Sequence, residues 1–173
     1  VENSDLHSLK DIDLVIMTSP VLDSAAYRLA TLHSNEGMMV AVVNQREVWN
    51  SFSSGSPDPT ALKMLMMMLR DKAESSEDEP KHLLLMGDGS YLNRNLNPDG
   101  VDLLTFQSAN SESTVSSYVT DDYFGLLEDG FGRRLGISCR LVWEGYRLLI
   151  WVMPLRWCLR LKRIWERLLI LLG

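Results

Sequence analysis

An α/β domain built on a mostly parallel sheet is the fold class this sequence predicts, and three observations predict it. Three apolar runs, Leu14-Val15-Ile16-Met17, Met38 to Val43 and Leu83-Leu84-Leu85-Met86, are each bounded by turn residues, the pattern of strands buried on both faces. Helical patterns separate the runs, so strand, helix and strand alternate as in right-handed βαβ units. The third run stops abruptly at Gly87-Asp88-Gly89-Ser90-Tyr91, and the crevice outside the carboxyl ends of strands is where open α/β sheets bind their ligands.

Taken in order, Val1 to Lys10 has neither a helix nor a strand signal, and it lacks the basic start and apolar core of a signal peptide. Starting on Val rather than Met, the chain reads as a processed or partial product. The first run is closed by Thr18-Ser19-Pro20. Asp23 or Ser24 is the expected cap of a helix that carries Ala25, Ala26, Leu29 and Leu32 on one side, and Gly37 is its stop. After the second run, Ser51 to Thr60 is a polar loop that leads into a helix with Asp58 as cap and Pro59 at its first position. Leu62, Leu65, Met66 and Leu69 recur there at helical spacing, and Met64, Met67 and Met68 widen the stripe. Methionines in such a stripe are core filling rather than a copper or heme site, since a flexible thioether suits irregular gaps.

Glu74 to Pro80 is an acidic surface linker before the central strand. Tyr91 to Gly100, with three Asn, a Pro and a Gly, is an exposed loop; Leu103 to Gln107 is a short strand and Ser108 to Ser117 a serine-rich loop. Two places offer chemistry. Asp88 stands at the end of the central strand between glycines that let the backbone turn and approach a substrate, or it merely caps a strand-to-helix turn. Asp121 and Asp122, set between aromatic and β-branched residues in Tyr118 to Leu127, either receive a cation or a basic substrate group or cap a turn. No cofactor and no metal is expected.

The composition bounds the rest. A chain of 173 residues can bury one sizeable core, so a second globular domain is not expected. A net charge of -6 argues against a nucleic-acid partner. The averages conceal a break at Gly132. Before it the chain is acidic, with four arginines, one tryptophan (Trp49) and no cysteine; after it the only acids are Glu144 and Glu166, and Cys139, Cys158, Trp143, Trp151, Trp157 and Trp165 appear among many Leu and Arg. Residues 1-132 and 133-173 are therefore read as two units of different character.

Phe52-Ser53-Ser54-Gly55 with Pro57-Asp58-Pro59-Thr60-Ala61, then Leu83 to Tyr91, then Phe106-Gln107-Ser108, and Ser117 to Gly125 as S-Y-V-T-D-D-Y-F-G, resemble the gingipain family of cysteine peptidases in order and spacing. Within that family the chain is most similar to the sortases of the type IX secretion system, over about Leu14 to Gly132. The resemblance implies a caspase-like three-layer domain, here incomplete. It also implies peptide-bond cleavage by a Cys thiolate with a His base, protein or peptide substrates, secretion-system partners, removal of C-terminal secretion signals and a cell-surface location; Asp88, Asp121 and Asp122 are the candidate substrate-binding residues.

The departures are equally informative. In the family the His stands in a G-H-G turn after a later strand and the Cys on a further strand; this chain has only His7, His33 and His82, all upstream. No residue here inherits either role. Cys139 and Cys158 sit among Leu, Arg and Trp with no His in the tail, whereas an activated thiol needs a neighbouring base or cationic site.

The tail also lacks the family's next strand, of pattern I-G-x-G-R-x-P, and its alanine-rich helix. Pairing the last base of each codon with the first two of the next recovers much of that pattern. Trp143-Glu144 forces glycine, Leu141-Val142 permits glycine, Glu144-Gly145 gives only Arg or Gly, and Tyr146-Arg147 permits proline. A frameshift near Gly132 is the expectation, with an out-of-frame tail that is helical by its leucines and arginines and makes few contacts with the core. The rival reading is a non-catalytic surface or interaction domain, whose basic amphipathic tail lies on a membrane. A transmembrane span is excluded because Leu148 to Leu155 is far shorter than the ~20 apolar residues required.

Overall fold

The computed structural model describes residues 5–89, 93, 97, 99–107, 119–125, 127, 140–143 and 146–151. Strands β1 (Leu14–Thr18), β2 (Val40–Asn44) and β3 (His82–Met86) form the centre of a sheet in the order β2-β1-β3. Both pairings are parallel, with Leu14 opposite Val40 and His82, and Thr18 opposite Asn44 and Met86. The three apolar runs are therefore the neighbouring parallel strands that their sequence predicts.

Strand order follows from the crossovers. From β1 the chain runs through α1 (Asp23–Asn35) to β2 on one side; from β2 it returns through α2 (Gln45–Phe52) and α3 (Pro59–Lys72) to β3 on the other. Right-handed crossovers taken in opposite directions place their helices on opposite faces. Even-numbered residues Leu14, Ile16, Leu84 and Met86 accordingly pack with Ala26, Leu29 and Ala30 of α1. Odd-numbered Val15, Met17, Val43, Leu83 and Leu85 pack with Val48 and Trp49 of α2 and with Leu62, Leu65 and Leu69 of α3. The result is the three-layer α/β architecture expected, with a buried methionine, Met66, in the α3 stripe and Met64 outside it.

Several local expectations need correction. Neither Asp23 nor Ser24 caps α1: a single-turn 3-10 helix (Pro20–Leu22) leads directly into it, and Asp23 is its first residue, where a carboxylate suits the helix dipole. Leu32 lies outside the buried stripe. The second strand begins two residues late, at Val40, because the Asp13 carboxylate accepts a hydrogen bond from the Met39 amide at 2.9 Å and Met39 turns outward. Helix α2 occupies the start of the predicted polar loop. Gly37, with φ +91°, ends α1 as expected, and Asp58 caps α3 by accepting from the Thr60 amide at 2.7 Å.

At the amino ends of the strands Asp13 is a clasp. Its carboxylate meets the Lys81 ammonium at 2.6 Å, and its backbone oxygen accepts from the Lys81 and His82 amides, both at 3.0 Å. Burial by itself would raise the Asp13 carboxyl, but the Lys81 and Met39 hydrogen bonds hold it below its ordinary value. His82 is pushed below its ordinary value by burial, which the nearby Asp13 opposes.

Beyond the parallel centre, β8 (Arg140–Trp143) and β9 (Tyr146–Trp151) form an antiparallel hairpin, and β9 pairs antiparallel with β3, Leu84 facing Ile150. Residues 140–143 and 146–151 are thus strands rather than the helix expected of the tail. The free edge of β3 offers unpaired backbone groups, and a segment rich in Leu, Val, Trp and Tyr meets that template as strand. Residues 152–173, including Trp157 and Cys158, lie outside the described residues, as does Cys139. Among the described residues no helix is long and apolar enough to cross a membrane.

Candidate functional site

The strand order reverses between β1 and β3, so the topological switch point lies outside their carboxyl ends. Thr18 and Ser19 close β1 there, both fully buried; Asn44 closes β2; Gly87 and Asp88 follow β3. Asp88 is the exposed member of this group. It opens a two-residue strand, β4 (Asp88–Gly89), that pairs in parallel with β5 (Asp102–Leu103), and its amide donates to the Val101 oxygen at 2.8 Å. The predicted turn is therefore a small ribbon that lifts the carboxylate to the rim.

Gly87 is essential to that ribbon because of space rather than backbone freedom. A Cβ built on it would stand 2.6 Å from both Leu103 Cγ and the Val101 oxygen. Only a residue without a side chain lets β5 lie this close. The expected strand over Leu103 to Gln107 is split in two, since Leu104 and Thr105 are buried between β5 and β6 (Phe106–Gln107). Asn93 fixes the break: its Nδ2 donates to the Thr105 oxygen at 2.7 Å.

From β6 the pairing passes to β7 (Val119–Thr120), which leads into α4 (Asp122–Gly125). Asp121 precedes that helix and is buried, and its backbone oxygen accepts from the Phe124 amide at 3.1 Å. Tyr123 stacks on Phe106 with ring centroids 3.8 Å apart, and its hydroxyl lies 3.2 Å from Thr60 Oγ1. Lys63 Nζ sits 4.6 Å above the Tyr123 ring centroid, while Phe124 fills the core. Aromatic docking on α3 thus sets where the Asp121-Asp122 pair lies. Of the three predicted carboxylates, Asp88 is exposed at one end of this chain of pairings and Asp121 buried at the other, and the Asp122 side chain lies outside the described residues.

Helix α2 contributes residues that sequence reasoning missed. Gln45 is fully buried, and its Nε2 donates to the Asp102 oxygen at 2.8 Å. Arg46 Nη2 meets Asp99 Oδ1 at 2.7 Å. The helix starts with a capping box: Asn44 Oδ1 accepts from the Arg46 amide at 3.0 Å, and Glu47 reaches back to the Asn44 amide. Asn44-x-x-Glu47 is a sequence signal that would have revealed it. Asp23 also faces this edge, where burial raises its carboxyl and a hydrogen bond with Asn44 opposes the shift.

Histidines lie elsewhere. His82 begins β3, about 20 Å of strand from Asp88 at ~3.3 Å per residue. His33 is buried near the end of α1, with Nδ1 3.4 Å from Glu36 Oε2, and His7 packs its ring on Phe52. Among the described residues no three His, Cys, Asp or Glu side chains gather closely enough to hold a metal ion.

Comparisons with known proteins bear on the family and the fold. The crystal structure of dimeric latent PorU from Porphyromonas gingivalis is similar, with a TM-score of 0.61 and 39% sequence identity, over 75% of this chain and 13% of that one. The chain thus spans only a small part of that protein's length. No curated protein sequence matches it. The profile of peptidase family C25 matches residues 7–152, running past the compositional break at Gly132. The chain belongs to peptidase family C25, the gingipain family of cysteine peptidases.

Proposed function

We propose that this chain supplies the amino-terminal part of a gingipain-type cysteine peptidase domain. It builds the sheet and the substrate-meeting edge, while the catalytic Cys and His are not among its residues. The reading includes the role of a secretion sortase at the bacterial cell surface, acting on cargo proteins alongside other secretion-system components. Similarity to PorU supports it. The observation that carries the catalytic part is the placement of the histidines. His82 stands at the far end of β3 from the switch point, and His33 is buried behind the sheet. Neither is placed to activate a thiol near Asp88, as a Cys-His mechanism demands. Asp88, Asp121 and Asp122 are then substrate-facing or substrate-shaping carboxylates.

Residues 133-173 belong to this proposal as an out-of-frame replacement for the second half of the domain. The compositional break and the codon reading support that division, whereas the family match that continues to residue 152 favours an in-frame tail. The coding DNA separates them: a one-base correction near Gly132 should restore G-x-G-R-x-P. Activity is tested on the purified chain. Peptide substrates should not be turned over, and alkylating its cysteines should change nothing. Thiol-dependent turnover that Cys139→Ala abolishes would overturn the proposal.

A further inference from the structure

We propose that Gln45 is a positioning residue for Asp88: its buried amide, assisted by Arg46, clamps the strand on which the Asp88–Gly89 strand is built. This inference rests on the reading of Asp88 as a substrate-facing carboxylate.

The amide's orientation is fixed by chemistry. Its partner, the Asp102 backbone oxygen at 2.8 Å, only accepts, so nitrogen must face it. Gln45 Oε1 is thereby left buried and without a hydrogen-bond partner. A buried acceptor in that condition destabilises a fold, and an apolar side chain of the same length would remove it, at the cost of the donor to the part-buried Asp102 oxygen. What Gln45 gives in return is a hydrogen bond across 57 positions of sequence to a two-residue strand. That balance suits placement of the ribbon better than it suits stability.

The base of the clamp is rigid. Gln45 and Arg46 occupy the first turn of α2, which is held by its capping box and by Val48 and Trp49 in the core. What they hold is slight by comparison. Strands β4 and β5 have two residues each, joined through the Asp88 amide and the Val101 oxygen. Arg46 takes Asp99 at 2.7 Å, and Asp102 Oδ2 accepts from the Asn97 amide at 3.1 Å. Two side chains of one helical turn thus grip the 99–102 segment at both ends, and the position of Asp88 follows from that segment.

Amide hydrogen exchange on the whole chain tests this. Gln45→Met keeps the length and removes the donor. Asp88 amide exchange should quicken by about tenfold or more, while the Val15 and Ile16 amides keep their protection. Unchanged Asp88 exchange overturns the proposal. So does a joint loss of Asp88 protection, core protection and thermal midpoint, which would make Gln45 an ordinary part of the core. Should that variant not fold, Arg46→Met at the surface decides, since faster Asp88 exchange upholds the clamp and none refutes it. Binding of an arginine-bearing peptide to Asp88→Asn reports separately on the underlying reading. Unaltered binding would remove Asp88 from the substrate site and leave the exchange result standing.

Discussion

Replacing Gly87 with alanine puts the geometry of the rim to a quantitative test. The added methyl would stand 2.6 Å from Leu103 Cγ, 2.6 Å from the Val101 oxygen and 2.9 Å from Leu103 Cδ1. Leu103 is buried and has little freedom to move aside, and the Val101 oxygen is backbone engaged by the Asp88 amide. Relief therefore requires β5 to move away from β4. Overpacking of this kind costs about 1–3 kcal/mol, and the upper half of that range applies because backbone is involved. For a chain of this size about 2–3 kcal/mol lowers the thermal midpoint by ~4–12 °C. Gly37→Ala is the matched control. Its Cβ meets nothing within 4 Å but must adopt φ +91°, a strain of roughly 1 kcal/mol. Scanning calorimetry on both variants, with exchange at the Asp88 amide, reads the result. A Gly87→Ala midpoint within about a degree of the parent, with Asp88 protection intact, would refute the packing argument.

The clasp and the caps give three further expectations. Asp13 is held below its ordinary value when folded, so its stabilisation is present above the ordinary carboxylate range near pH ~4 and is lost as pH falls through the lowered value; Asp13→Asn should lower the denaturant midpoint at neutral pH, with the gap closing in acid. His82 is held neutral by burial, so its contribution is full above its ordinary value near pH ~6.5 and falls as pH drops towards the depressed one; His82→Gln should flatten that limb of a stability-against-pH curve, and an unchanged limb would assign it elsewhere. Asp58→Ala removes the acceptor for the Thr60 amide and should cost about 1 kcal/mol in urea unfolding.

The sheet was legible because a strand buried on both faces must be apolar at every position. Leu14 to Met17 and Leu83 to Met86 meet that demand, and all eight residues are buried. Helix α3 was legible for a similar reason, since Asp58, Pro59 and the stripe from Leu62 to Leu69 state its start and its inward face together. Helix α2 was not, because it spans only eight residues and its apolar content is Val48, Trp49 and Phe52. The serine-rich stretch after it dominates any local reading. Asp88 could be placed from sequence because a strand end is a local event. Gln45 could not, because its role depends on an oxygen 57 residues away and on a glycine that admits β5 beside Asp88.

The edge of β3 shows how far propensity can carry a segment. A parallel neighbour for β3 requires a crossover, commonly a helix of a dozen residues or more, whereas an antiparallel neighbour requires only a reversal. Residues 144 and 145 alone separate β8 from β9, a loop length typical of hairpins. β9 then meets β3 with Leu83 opposite Trp151 and Leu85 opposite Leu149. Leu, Ile and Trp in residues 146–151 suit such a strand, and an unpaired edge is a template that receives one. Such pairing differs from the helical tail with few core contacts expected of an out-of-frame sequence. The decision between an in-frame and a shifted tail belongs to the codons that encode Trp143-Glu144 and its neighbours, where the two frames spell different proteins from the same bases.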